Sequence, residues 1–205
     1  MNRVKVIKKF YEKDLKNKNL DDYEKLHWES EWSQKIRFEM LLSNLSIDNK
    51  SILDVGSGLG NLYEYIKEKG LNVKYTGVDI LKPMVKEASK RHPEADFYSY
   101  NIFKEHPYRE NSFDIVYSSG IFNLNLGNNK KFLKDAIEVF LKLSQKHIAF
   151  NLLHIDSKKK EKKFYYYEPS DIVKMIEKSH VNISKTEIHE HYLNNDFTII
   201  CEKNI

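Results

Sequence analysis

The segment Leu53-Asp54-Val55-Gly56-Ser57-Gly58-Leu59-Gly60-Asn61 places three glycines, spaced Gly-x-Gly-x-Gly, directly after an apolar run. Glycines there let the backbone turn tightly and let a ligand approach the main chain where a Cβ would block it. The spacing departs from the dinucleotide fingerprint Gly-x-Gly-x-x-Gly, and no Lys-Ser/Thr pair follows to hold a polyphosphate. Asp54, two residues before the first glycine, makes the loop a poor host for phosphates and a suitable one for a cationic amino-acid group. A second acid, Asp79, lies 19 positions after Gly60, where a carboxylate at a strand end can accept both hydroxyls of a ribose. Together these features point to a nucleoside ligand without a phosphate chain. The competing roles are architectural: a tight turn for the glycines and, for Asp79, a cap on the helix beginning near Pro83.

Such residues act only if strands and helices hold them in place. Lys50 to Val55 reads as a strand, and Asn61 to Lys69 as a helix closed by Gly70. Val73 to Ile80 repeats the strand signal and Lys82 to Arg91 the helix, with Pro83 in its first turn. Ala95 to Tyr100, Phe113 to Ser118 and His147 to Leu153 read as further strands, and Asn129 to Leu143 as a helix. Ser170 to Lys178 follows as a helix with Ser170 as its N-cap, and then come strands at Ile183 to His191 and Phe197 to Glu202. Parallel neighbours need crossover connections of helix length, so this alternation predicts a doubly wound α/β fold. The expected sheet is seven-stranded and mostly parallel, with helices on both faces and an antiparallel C-terminal strand. The last two strands are separated only by Tyr192 to Asp196, so they must form an antiparallel hairpin at one edge. Ahead of the sheet, Leu20 to Leu45 carries Leu26, Trp32, Ile36, Met40 and Leu41 at helical spacing and reads as helical cover.

Composition narrows the class. The 205 residues are 40% hydrophobic and 31% charged, which suits one globular domain over residues 1–205. No run approaches the roughly 18 apolar residues of a membrane helix. Met1 to Phe10 carries Arg3, Lys5, Lys8 and Lys9 and lacks the apolar stretch of a secretory signal, so a cytoplasmic location is expected. The net charge of +4, from 34 basic and 30 acidic residues, is too small and dispersed for a nucleic-acid footprint. Lys158 to Lys163, interrupted by Glu161, reads as a solvated loop. The single cysteine, Cys201, forms no intrachain disulfide and sits in an apolar run that reads as core.

Asp54-x-Gly56-x-Gly58-x-Gly60 followed by Asp79 resembles the signature of class I S-adenosylmethionine-dependent methyltransferases, and the inferred terminal hairpin resembles the end of that Rossmann-like fold. On this resemblance residues 1–48 are an N-terminal cover and residues 49–205 the core. It implies S-adenosylmethionine as cofactor and S-adenosylhomocysteine as product. Its methionine part would lie near Asp54, Gly56, Ser57 and Gly58, with Gly60 completing the loop, and its ribose on Asp79 with Ile80 beside the adenine. The family's acid after the third strand corresponds to Asn101 in Tyr100-Asn101-Ile102; an amide oxygen can still accept from the adenine amino group. Ile102, Ser118, Trp28 and Arg37 complete the expected cofactor set. The chain is also similar to an uncharacterised bacterial branch of such enzymes in Trp28-Glu29-Ser30, Ser33-Gln34-x-x-Arg37-Phe38, Ser119-Gly120-Ile121-Phe122-Asn123-Leu124 and Asn195-Asp196-Phe197-Thr198.

Methyl transfer requires in-line alignment of donor and acceptor, and a base only if the acceptor must lose a proton. The acceptor site should form at the carboxyl ends of the fourth and fifth strands. Phe122 and Asn123 are expected to line it, the alternative for Asn123 being a helix cap. Arg37 and Gln34, three apart on one helical face, suit a clamp on the cofactor's carboxylate or an anionic substrate; the other reading of Arg37 is a surface ion pair with Glu39 or a neighbouring acid. His154 is the best-placed candidate base and Asn123 a second catalytic candidate. Tyr166, within Tyr165 to Tyr167, is a candidate substrate contact or a packing residue. His189 and His191 share a strand face without an obvious third ligand, so no metal is expected.

The expected activity is methyl transfer to an oxygen or nitrogen of a polar small molecule, such as a sugar or another intermediate of a bacterial polysaccharide or secondary-metabolite pathway. Neither membrane nor nucleic acid is expected as a partner, and the protein should be a monomer or homodimer. Three other readings stay open: an RNA or protein methyltransferase, which needs a broad basic face; a non-catalytic S-adenosylmethionine-binding protein, suggested by Asn101; and a nicotinamide-dependent dehydrogenase, disfavoured by the glycine spacing.

Overall fold

The computed structural model describes residues 3–204. Seven strands form one sheet: β1 (Lys50–Val55), β2 (Val73–Asp79), β3 (Asp96–Ser99), β4 (Phe113–Ser118), β5 (Ser144–Leu153), β6 (Ile183–His189) and β7 (Asp196–Lys203). Their spatial order is β3-β2-β1-β4-β5-β7-β6. β1 through β5 pair in parallel, whereas β7 inserts antiparallel between β5 and β6. The chain winds outward from β1 to β3 and then returns to the other side of β1 with β4. The crevice at this reversal is where doubly wound sheets bind ligands.

Period-two alternation sends successive side chains to opposite faces. Val116, Ile199 and Cys201 join one apolar core with Phe132, Phe140, Phe150 and Ile172. Their neighbours Ile115, Tyr117 and Ile200 enter the other core, with Phe38, Leu41, Leu62 and Val85. Helices α6 (Asn129–Leu143) and α7 (Pro169–Glu177) therefore cover the first face, and α3 (Glu31–Asn44), α4 (Asn61–Glu68) and α5 (Lys82–Arg91) cover the second. Among the described residues no helix is long and apolar enough to cross a membrane.

Four local details differ from the sequence reading. Helix α7 begins at Pro169 with Glu168 as its N-cap, so Ser170 lies inside the first turn; proline's preset φ suits the first helical position. Strand β5 starts at Ser144, three residues early. The expected helix from Leu20 to Leu45 is broken into α2 (Asp22–Lys25) and α3. His27 takes φ +60°, and Ser30 caps α3 by accepting the Ser33 N–H at 3.0 Å, a bond that draws Ser30 out of helical geometry. Finally, Arg3–Leu15 forms a helix, α1, that was not anticipated. Its signal is the stripe Val4, Ile7, Tyr11 and Leu15, of which Ile7, Tyr11 and Leu15 pack against Leu59, Leu81 and Met84.

Candidate functional site

The loop after β1 is tied directly to the end of β2. The N–H groups of Gly56 and Ser57 both donate to the Val78 carbonyl, at 2.7 and 3.1 Å. Gly58 N–H donates to Asp79 Oδ2 at 3.1 Å, and Leu81 N–H donates to Asp79 Oδ1 at 2.8 Å. Gly56 and Gly58 have φ of +82° and +56°; a Cβ on Gly58 would sit 3.3 Å from Leu26, and one on Gly56 would collide with Ile121. Only glycine serves this conformation and closeness together.

Beneath the loop, Asp54 is buried and accepts the Tyr75 hydroxyl at 2.5 Å. Burial pushes its carboxyl up to about 7, against that hydrogen bond and with help from the nearby Asp79. Asp79 is pushed up to about 6, again by burial, although the backbone N–H groups of Leu81, Gly58 and Ile80 favour its ionised form. Two acids held near neutrality in one crevice are arranged to change charge when a cationic ligand arrives. Tyr11 from α1 packs nearby against Leu59, Leu81 and Met84; burial first and the Asp79 charge second raise its phenol.

These groups line a cleft of ≈ 1680 Å³, larger than the roughly 300–1,000 Å³ that a single drug-sized ligand occupies. Of the expected cofactor residues, Asp54, Gly56, Ser57, Gly58, Asp79, Ile80, Asn101, Ile102, Arg37 and Trp28 line it. Ser57 Oγ, also in the lining, is buried without a hydrogen-bond partner among the described residues, and Tyr100 lines the cleft with its hydroxyl near that of Tyr108. Asn101 Oδ1 accepts the Phe103 N–H at 3.2 Å, which leaves a second lone pair for a ligand. Glycine cradle, carboxylates and an unsatisfied hydroxyl fit a nucleoside carrying a cationic amino-acid tail.

Several expected residues lie elsewhere. Gly60 begins α4, where an added Cβ would meet His92 at 2.9 Å and Phe97 at 3.1 Å, so it serves helix packing and not the cleft. Ser118 is fully buried and donates to the Val55 carbonyl at 2.8 Å, stitching β4 to β1. Phe122 is fully buried in the core against Phe132, Phe140 and Phe150. His154 is outside the cleft lining and pairs with Glu190 at 2.8 Å while its Nδ1 accepts the Asp156 N–H. The surface pairing of Arg37 with Glu39 also fails: Glu39 meets Tyr65 and Lys69, and Arg37 is buried. His189 and His191 gain no partners, and no group of three metal-ligating side chains occurs among the described residues.

Arg37 instead anchors a network that joins distant segments. Its guanidinium bonds Asp196 and the Ser33 carbonyl and stacks over Trp28 at 4.4 Å. Asn151 Nδ2 donates to the same Asp196 oxygen at 3.0 Å, and Asn151 Oδ1 accepts the Gly120 N–H at 3.1 Å. The segments around Trp28, Arg37, Gly120 and Asp196 thus meet at one place. Asn123 and Tyr166 also line the cleft, with the Tyr166 hydroxyl accepting the Glu161 N–H at 2.9 Å. The sequence reading missed α1 and Asn151; an amide inside an apolar strand was the available signal for Asn151.

Comparison with known proteins places this geometry in a family. A family model described as a methyltransferase domain matches residues 52–142. The Mycobacterium tuberculosis protein Rv1506c, named as a methyltransferase, is 30% identical over 165 residues, covering 76% of this chain and 95% of that protein. The phosphoethanolamine N-methyltransferase of Plasmodium falciparum is 36% identical over 100 residues, 46% of this chain but only 36% of that enzyme. In architecture, the magnesium protoporphyrin IX methyltransferase of Synechocystis PCC 6803, solved with bound S-adenosylhomocysteine, superposes with a TM-score of 0.70 at 12% identity. That match covers 99% of this chain and all of that one. With the glycine loop, the two acids and the antiparallel β7 in place, this chain belongs to the class I S-adenosylmethionine-dependent methyltransferases.

Proposed function

We propose that this enzyme transfers the methyl group of S-adenosylmethionine to an oxygen or nitrogen of a polar small molecule held at the carboxyl ends of β4 and β5. The observation that carries the reading is the shape of the cleft. Its Asp54–Asp79 part suits the cofactor, and its lining also includes Ser119, Gly120, Asn123 and Tyr166, with room for a second molecule. The cofactor supplies an electrophilic methyl on a sulfonium. In this reading Asp54 faces its cationic amino-acid end, Asp79 accepts from the ribose, Ile80 and Ile102 flank the adenine, and Asn101 meets its amino group. Helix α1 and Trp28 roof the cleft, which favours an acceptor small enough to lie beneath them. The chain's likeness to an enzyme named for phosphoethanolamine supports the same choice.

Calorimetric titration with S-adenosylmethionine and S-adenosylhomocysteine, with reduced nicotinamide cofactor as control, tests the cofactor half. Micromolar binding of the first two alone is expected. Asp79→Ala should remove charge-assisted hydrogen bonds of about 1.5–3 kcal/mol each and weaken binding roughly tenfold or more; unchanged affinity in the folded variant would refute the ribose assignment. Formation of S-adenosylhomocysteine with nucleotide-linked sugars or phosphoethanolamine tests the acceptor half. Turnover on RNA or protein in preference to any small acceptor would overturn it.

A further inference from the structure

The turn after β4 is held from every side. Gly120, at φ +84°, gives its N–H to Asn151 and packs so closely on Trp28 that a Cβ would lie 2.8 Å from the indole. Asn123 N–H donates to the Gly120 carbonyl at 3.2 Å, and the Asn123 carbonyl accepts the Tyr165 N–H at 2.8 Å. These backbone groups, with the Phe122 carbonyl that accepts the Tyr167 hydroxyl at 3.2 Å, are committed to the protein. The side chain offers more: Asn123 lines the cleft, and its buried Oδ1 has no hydrogen-bond partner among the described residues. Ser119 of the same turn also lines the cleft, with the Tyr117 hydroxyl close to its Oγ. An amide oxygen can only accept, and a buried acceptor is costly unless a donor reaches it. A ligand that completes this part of the cleft must bring hydrogen.

We propose that the methyl acceptor is a neutral amine nitrogen whose N–H is held by Asn123 Oδ1; this deepens, and rests on, the methyl-transfer reading above. A hydroxyl would also satisfy Asn123, but its oxygen becomes an effective nucleophile only as its proton is taken, which needs a base. The lining acids are engaged elsewhere. Asp54 and Asp79 are bound by Tyr75 and by backbone N–H groups, Glu24 accepts the Asp21 N–H, and the lining histidine His27 faces the Phe10 carbonyl and Asp14. Glu161 pairs with Lys163, Asp135 with Lys131 and Glu138 with Lys134. Glu29 is exposed, and His154 lies outside the cleft.

An amine that enters in its unprotonated form, having left its ammonium proton to water, needs no base in the site. Its lone pair forms the new N–C bond as the S–C bond breaks and leaves its pair on sulfur, so one positive charge passes from sulfur to nitrogen. The surplus proton departs to water after the transfer. During that step the N–H becomes a stronger donor, and the fixed Asn123 oxygen gains more from the transition state than from the bound substrate.

The test supplies trideuteromethyl-labelled S-adenosylmethionine and a low-molecular-weight bacterial metabolite extract to the full-length protein, and locates the label by fragmentation mass spectrometry. Label on nitrogen is expected. Label on oxygen, sulfur or carbon overturns this inference and leaves methyl transfer standing; no label on any small molecule overturns both. The unmethylated parent of the labelled product is then titrated calorimetrically into protein saturated with S-adenosylhomocysteine, for wild type, Asn123→Asp and Asn123→Leu. Both variants should bind S-adenosylhomocysteine as wild type does, which reports an intact fold. Asn123→Asp keeps an accepting oxygen and should keep the amine, whereas Asn123→Leu should bind it about tenfold or more weakly. Wild-type amine binding and turnover by Asn123→Leu would overturn the assignment.

Discussion

Replacing Arg37 with methionine should be among the most damaging single changes available, and the structure says by how much. Arg37 and Asp196 have side chains only 4% and 0% exposed. In Arg37→Met, Asp196 Oδ2 would keep a single donor, Asn151 Nδ2, while Oδ1 already lacks one among the described residues. Removing one partner of a buried pair costs about 3–5 kcal/mol, because the other charge is left unpaired, and losing the stack on Trp28 adds about 1 kcal/mol. For a chain of this size each kcal/mol lowers the melting midpoint by roughly 2–4 °C, so a fall of about 8–24 °C is expected. Burial pushes the Asp196 carboxyl above its ordinary range, against Arg37 and Asn151, and losing Arg37 pushes it further. An acid with a raised folded pKa contributes stability that is present at low pH and lost as pH rises. The damage should accordingly be smaller in acid than at neutral pH. The assay is urea and thermal unfolding of wild type, Arg37→Met, Asp196→Asn and the double variant, read as a cycle. With no buried charge left and the Asn151 acceptor preserved, the double variant should recover much of the loss. A cost below about 1 kcal/mol for Arg37→Met, or a double variant no more stable than it, would refute the reasoning.

Cofactor affinity should depend on pH through Asp54 and Asp79, held near 7 and 6. Because the sulfonium cofactor favours their ionised forms, calorimetry should show affinity falling from pH 8 to pH 5.5, with proton release near pH 7 revealed by buffers of different ionisation heat; a flat profile would contradict it. The same raised values mean that, without cofactor, the two carboxyls contribute stability below their ordinary range near 3.8, and this is lost as pH rises through about 6 and 7. His154→Ala should leave cofactor affinity and turnover unchanged, since the ring faces Glu190 and Phe197; a large fall in kcat would refute its placement outside the cleft.

Much of the frame was legible because its signals are local. Alternation in Phe113–Ser118, the glycine spacing from Gly56 to Gly60 and the short link before β7 each report on a few consecutive residues. They were enough to place strands, helices and the terminal hairpin. Helix α1 was missed because only part of one face touches the rest of the protein, leaving a weak stripe. The break at His27 was missed because helix propensity runs on through it, and only the Ser30 cap shows where the helix restarts.

The sequence by itself determined that a glycine loop and two acids would stand at the ends of neighbouring strands, since loop and acid follow consecutive strands of a parallel winding. Only the tertiary structure decided which of the remaining polar residues face the ligand. Phe122 and Asn123 are adjacent, yet one fills the core and the other opens onto the cleft; Ser118 and Ser119 divide in the same way. Arg37 meets Asp196 across 159 positions of chain. No local pattern encodes such meetings: they follow from β7 inserting beside β5, and a strand's period shows which residues share a face but not which strand will lie next to it.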